Sequence, residues 1–166
     1  NANDGTIKLI GNSQFSYTGL EPIVTTGTTI NDLILTFNGG TETIASGDAT
    51  RAAMTIGTTL AAGLTCANPS RSLTINAGTG DDIVNITSVD TAFNASLTIN
   101  GDANNDTVTL TPALSLASLT VTAETIHVNS GTVTTTGSQS YNGPVNLGTN
   151  TTLATANVTF ASTVGV

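Results

Sequence analysis

The chain has 166 residues, long enough for one domain with a real core. Only 8% of its residues are charged, and eleven acids against three bases leave a net charge of −8. That sign repels a phosphate backbone and an anionic membrane surface, which excludes nucleic acid and membrane as partners and makes divalent cations the natural counter-charge.

Thr, Asn, Ser, Ala and Gly fill the place of the missing charges, a mixture that favours strands and turns over helices. Residues 1–23 predict two short strands, Thr6–Ile10 and Gln14–Thr18, joined by Gly11-Asn12-Ser13, with Gly19 and Pro22 stopping the second. The apolar run 33–37 ends at Asn38-Gly39-Gly40, expected to supply positive-φ turn positions, and Glu42–Ala45 returns from it. From Ala49 to Leu64 the pattern blurs. Ala52, Ala53 and Met54 favour a short helical turn or an irregular cap, and Gly57 and Gly63 stop anything longer.

Past Pro69 the chain repeats itself. Ser72-Leu73-Thr74-Ile75-Asn76 returns 24 residues later as Ser96-Leu97-Thr98-Ile99-Asn100, and after another 22 as Ser118-Leu119-Thr120-Val121. The first two copies stay in step beyond the pentapeptide, so that Asp82 falls on Asp106 and Val84 on Val108. Further short strands follow at 125–129, 131–136, near Tyr141, at 145–147, 152–153 and 158–160. A period in the low twenties made of strand, turn and strand is a solenoid signature, because one unit cannot bury its apolar face without a stacked neighbour.

The expected fold is therefore all-β, a β-solenoid read as a parallel (right-handed) β-helix with roughly 22–24 residues per coil. Residues 1–166 form a single solenoid domain, with 1–66 less regular and 72–166 the clear coils. At about 4.8 Å per coil this predicts roughly seven coils and a rod of roughly 35 Å. Leu73/Leu97/Leu119 and Ile75/Ile99/Val121 are the expected core ladders. Thr74/Asn76, Thr98/Asn100 and Thr120/Thr122 are the expected outward polar ladders.

Several phrases carry a resemblance: Phe15–Ile23 (FSYTGLEPI), Ser72–Asn85 (SLTINAGTGDDIVN), Ala92–Asp106 (AFNASLTINGDANND) and Gly137–Thr152 (GSQSYNGPVNLGTNTT). In this order they resemble the tandem modules of large secreted bacterial proteins of the filamentous-haemagglutinin-like and repetitive surface-adhesin kind. The resemblance implies an extracellular or cell-surface repeat serving as stalk, fibre or adhesive surface, and it brings no catalytic motif. Residues 46–66 depart most from the pattern.

Among candidate sites, Ala77–Val84 approaches the calcium-binding nonapeptide, whose glycines allow a tight turn and whose Asp faces a cation. Asp82 and Asp106, with Asp81 and Asp102 close by, are thus candidate calcium ligands. The alternative is that these are Gly/Asp turns chosen for backbone geometry. Stacked carboxylates with no base nearby would either splay into solvent or be bridged by a hard cation. His127 alternates with apolar neighbours and reads as an outer-face strand residue, and Cys66 reads as a small core hydrophobe. With one His and one Cys, no zinc cluster or catalytic triad assembles, and no catalytic residue is assigned.

The function expected is a non-enzymatic structural or adhesive repeat, secreted or on the cell surface. Its partners are further copies end to end, and surface glycans. The alternatives are a carbohydrate-active β-helix enzyme using Asp81, Asp82 or Asp106, a calcium-binding solenoid, or an ice-binding one built on the threonine ladders. A start at Asn1 without Met suggests a mature product or a piece of a longer chain.

Overall fold

The computed structural model describes residues 4–9, 15–18, 23–27, 29–37, 39–48, 52–60, 63–148 and 150–166. Among them the chain is strand throughout, with no helix. It opens with β1 (Asp4–Leu9), β2 (Phe15–Thr18) and β3 (Ile23–Thr25). β4 (Asp32–Phe37) and β5 (Thr43–Asp48) make the first coil, and β6 (Ala53–Thr58) and β7 (Leu64–Ala67) leave it as an excursion. The second coil is β8 (Ser72–Asn76) and β9 (Ile83–Ile86), and the third is β10 (Ser96–Asn100), β11 (Thr107–Leu110) and β12 (Leu114–Leu116). The fourth is β13 (Leu119–Thr122), β14 (Thr125–Val128) and β15 (Thr132–Thr135). The fifth is β16 (Ser138–Asn142), β17 (Val145–Leu147) and β18 (Thr152–Ala154), and β19 (Asn157–Phe160) and β20 (Val164–Gly165) begin a sixth.

These strands stack into three faces. Face 1 has the order β19-β16-β13-β10-β8-β4-β1-β2, face 2 the order β20-β17-β14-β11-β9-β5-β6-β7-β3, and face 3 is β12-β15-β18. From β4 and β5 onward every pairing between coils is parallel, so the expected β-solenoid is the observed fold. It has about five turns, not seven. Two things shorten it. β1 and β2 form an antiparallel pair and not a coil, and the chain between β5 and β8 is spent on β6 and β7, which double back antiparallel. No helical turn forms at 52–54; Ala53 and Met54 are buried in β6, where packing overrides helix propensity.

The coil length is also not constant. Registers step from Leu33 to Leu73, Leu97, Leu119, Gln139 and Val158, that is by 40, 24, 22, 20 and 19 residues. The first step contains the excursion. The later shortening comes partly from the corner between faces 1 and 2, six residues in the second and third coils (77–82 and 101–106) and two in the fourth and fifth (123–124 and 143–144).

The core follows from alternation in strands. Leu33, Leu73, Leu97 and Leu119 stack as one buried ladder, and Leu35, Ile75, Ile99 and Val121 as the next. Ile44, Val84, Val108, Ile126 and Val145 line face 2 in the same way. Each such side chain contributes roughly 1.5–3 kcal/mol on burial. In the fifth coil the ladder turns polar. Fully buried Gln139 donates to the Val133 carbonyl at 3.0 Å and accepts from the Tyr141 hydroxyl at 3.0 Å. Tyr141 in turn stacks on Phe160 at 5.2 Å, and burial pushes its phenol pKa up.

Candidate functional site

The outward positions of face 1 form the expected polar ladders. Asn100 donates to Asn76 at 2.8 Å, Asn76 to Thr36 at 3.1 Å, Asn142 to Thr122 at 3.2 Å, and Ser118 to Ser96 at 2.9 Å. At the first coil the serine row begins with Asp32, which accepts from Ser72 at 2.6 Å and pairs with exposed Arg71 at 3.4 Å. His127 lies half-buried between Thr109 and Asn146 on the outer face of β14. Cys66 is fully buried, and burial raises its thiol pKa to about 11, so it is an inert core residue.

The chemistry concentrates at the corner between faces 1 and 2. An acid stands immediately before the face 2 strand in four successive coils, at Glu42, Asp82, Asp106 and Glu124. At a corner the sheet ladder breaks and a backbone N–H loses its carbonyl partner. Here the acid of the next coil replaces that carbonyl. The Glu42 N–H donates to Asp82 Oδ1 at 2.8 Å, the Asp82 N–H to Asp106 Oδ1 at 2.8 Å, and the Asp106 N–H to Glu124 Oε2 at 3.0 Å. Glu42 also accepts from the Thr58 hydroxyl of β6. The fifth coil places Gly143 at the position of Glu124, and there the series has no further carboxylate.

Two glycines make room for this corner. A Cβ on Gly80, whose φ is +130°, would lie 2.5 Å from the Thr41 nitrogen of the coil below. A Cβ on Gly101 would lie 2.5 Å from Asp106 Oδ2. By contrast Gly39 and Gly40 do not take the positive φ expected of them, because 39–42 turns a corner between two faces and is not a hairpin. Asn38 lies outside the described residues. Asp102 and Asn104 carry positive φ instead, and Thr79 bridges Ala103 so that the two six-residue corners stack into a ledge.

Asp82 and Asp106 are each only 1% exposed, so they do not splay into solvent. Their Oδ2 atoms are buried without a hydrogen-bond partner. Burial raises the carboxyl pKa of Glu42, Asp82 and Asp106 above the ordinary range, outweighing the hydrogen bonds that lower it; neighbouring carboxylates raise it further. Asp81 and Asp102 are exposed at the rim, and Asp81 Oδ1 accepts the Asn105 N–H at 3.1 Å. All four aspartates singled out from the sequence thus meet at one corner. Among the described residues, however, no group of three or more His, Cys, Asp or Glu side chains is gathered to hold a metal ion. Glu42 and Glu124 belong to the same series. Their signal in the sequence is an acid directly preceding Thr-Ile, as Asp82 precedes Ile-Val and Asp106 precedes Thr-Val.

Two surface depressions lie elsewhere. One sits over β5–β7 between Gly47, Thr55, Gly57 and Thr65, and the other sits between Ala52, Asn68, Pro69 and Asn94. Neither is lined by a carboxylate, an imidazole or a thiol. The fold and the corner define the chain as a β-solenoid whose coils are tied by side-chain ladders. Comparison with protein-family models, with curated proteins and with solved structures finds no match to this chain.

Proposed function

We propose that the chain is a non-enzymatic structural or adhesive repeat of an extracellular or cell-surface protein, as its resemblance to filamentous-haemagglutinin-like modules implies. One observation carries this reading. Polar groups that a catalyst would aim at substrate are turned to the neighbouring coil: amides and hydroxyls along face 1, and at the corner one oxygen each of Asp82, Asp106 and Glu124, which accepts a backbone N–H. The stalk role needs what such ladders supply, a rod stiffened along its axis.

A glycan array run beside a reducing-end assay on neutral and acidic polysaccharides tests the reading. Glycan retention without turnover supports an adhesive surface, and neither retention nor turnover supports a stalk. Turnover that is lost in Asp82→Asn or Asp106→Asn overturns both in favour of a carbohydrate-active enzyme. A second reading, calcium at the corner, is favoured by the orphaned Oδ2 atoms of Asp82 and Asp106, with Asp81 and Asp102 as rim ligands. In that case millimolar calcium raises the melting temperature, and the double Asp→Asn variant abolishes the increase.

A further inference from the structure

Not every polar group on face 1 is turned to a neighbour. Its outward positions fall into three rows, which the parallel registers hold one above another from β8 to β19. The two outer rows are tied from coil to coil, by Ser118 to Ser96 on one side and by Asn100 to Asn76 and Asn142 to Thr122 on the other. The middle row is Thr74, Thr98, Thr120, Ser140 and Thr159. Ser140 donates to Asn142 at 3.1 Å. The four threonine hydroxyls make no hydrogen bond to any described residue.

Charge is kept off this surface. Residues 72–166 hold six acids, Asp81, Asp82, Asp90, Asp102, Asp106 and Glu124, and no Lys or Arg, and none of the six lies on a face 1 strand. An uncharged face in an anionic protein matches a neutral partner. Its area selects further. Five strands stacked at about 4.8 Å, each with outward positions spread over about 13 Å, present on the order of 300 Å². A standard protein interface takes about 800 Å² from each partner. Small-molecule sites are concave and lined with apolar and aromatic side chains. Here the surface is an open sheet, and Tyr141 and Phe160, its aromatic residues from β8 onward, stack on each other against the core. What the face offers a partner is periodicity.

We propose that the middle row of face 1 binds ice, its threonines ordering water into the crystal lattice. This rests on the adhesive reading above and names its partner. A threonine sets a hydroxyl beside a methyl. The hydroxyl bonds a water, and the methyl restricts the waters around it without bonding them. Thr74, Thr98 and Thr120 repeat that pair on consecutive coils at about 4.8 Å, so the waters they hold stand in an evenly spaced file. Liquid water has no such order to match, and crystalline water does. The tied rows on either side keep the file in line, as side-chain ladders do in flat sheets.

Ice-growth measurements on the intact chain test the proposal. The wild-type protein is expected to hold the freezing point of a seeded solution below its melting point, to facet the crystals and to be taken up into growing ice. Thr98→Tyr and Thr120→Tyr, whose rings stand above the row, should each abolish the freezing-point gap with circular dichroism unchanged. Thr109→Tyr, on the outer side of β11 in face 2, should leave the gap intact. If a tyrosine variant of the row loses the fold, Thr98→Ser, which removes only the methyl, takes its place and should also lose the gap. Unfaceted crystals with the wild-type protein left behind in the liquid would overturn ice binding. So would a full gap in folded Thr98→Tyr, or equal loss in Thr109→Tyr. None of these results touches the structural or adhesive reading, which fails only on glycan turnover.

Discussion

Three of the buried acids, Glu42, Asp82 and Asp106, are expected to make the solenoid more stable toward acid. Burial raises their carboxyl pKa in the folded state, so the folded chain binds protons more tightly than the unfolded one. The resulting stability is fully present below the unfolded carboxyl range, near about 4, and is lost as pH rises through the raised folded values. The melting temperature is therefore expected to climb as pH falls from neutral toward about 4, opposite to a protein held by salt-bridged carboxylates. Asp82→Asn and Asp106→Asn keep an oxygen for the backbone N–H and remove the charge, so they should raise the melting temperature at pH 7 and flatten its pH dependence. Thermal melts across the pH series check both. Variants less stable at neutral pH, with calcium stabilisation lost at the same time, would instead point to a bound cation. The sequence displayed Asp82 and Asp106 as a stacked pair because they share a register. It hid their role, because a backbone N–H orphaned by a corner leaves no mark in residue type.

Strands were the legible level. The pentapeptide at Ser72 and its copies announced β8, β10 and β13, and the alternation within them located the core side of each. Several strands escaped, β12, β6 and β7 among them. β12 lies in a Leu-Ser-Leu run too short to show a period, and it became a strand because β15 stacks on it. β6 and β7 contain good helix formers, and tertiary pairing decided them against local preference. The same contrast between core and face sets the cost of substitution. Ile99→Asp places an unpaired charge at a position 0% exposed and should cost at least about 3 kcal/mol, whereas Ile83→Thr on the outer face should stay within about 0.5 kcal/mol. Urea midpoints measure both, and equal effects would mean that the ladders do not face inward.

Over the whole molecule, each coil touches only its neighbours, so stability spreads from rung to rung. The middle coils have partners on both sides. Amide exchange should therefore be slowest in β10 and β13, each paired with a strand on either side, and faster in the corner residues between them. Hydrogen exchange reads this gradient directly; uniform protection would mean the rod opens as one unit.

The unequal corners have a practical consequence. The third coil spends six residues, 101–106, where the fourth spends two, 123–124, and yet Asn100 stays level with Thr122 and Thr107 with Thr125. The fold itself thus carries a four-residue indel without a slip in register. A foreign peptide spliced between exposed Asn104 and Asn105 inherits that tolerance, since each doubling of a flexible loop costs only about 0.6 kcal/mol. Such a graft should leave the melting temperature almost unchanged and project from one edge of the rod.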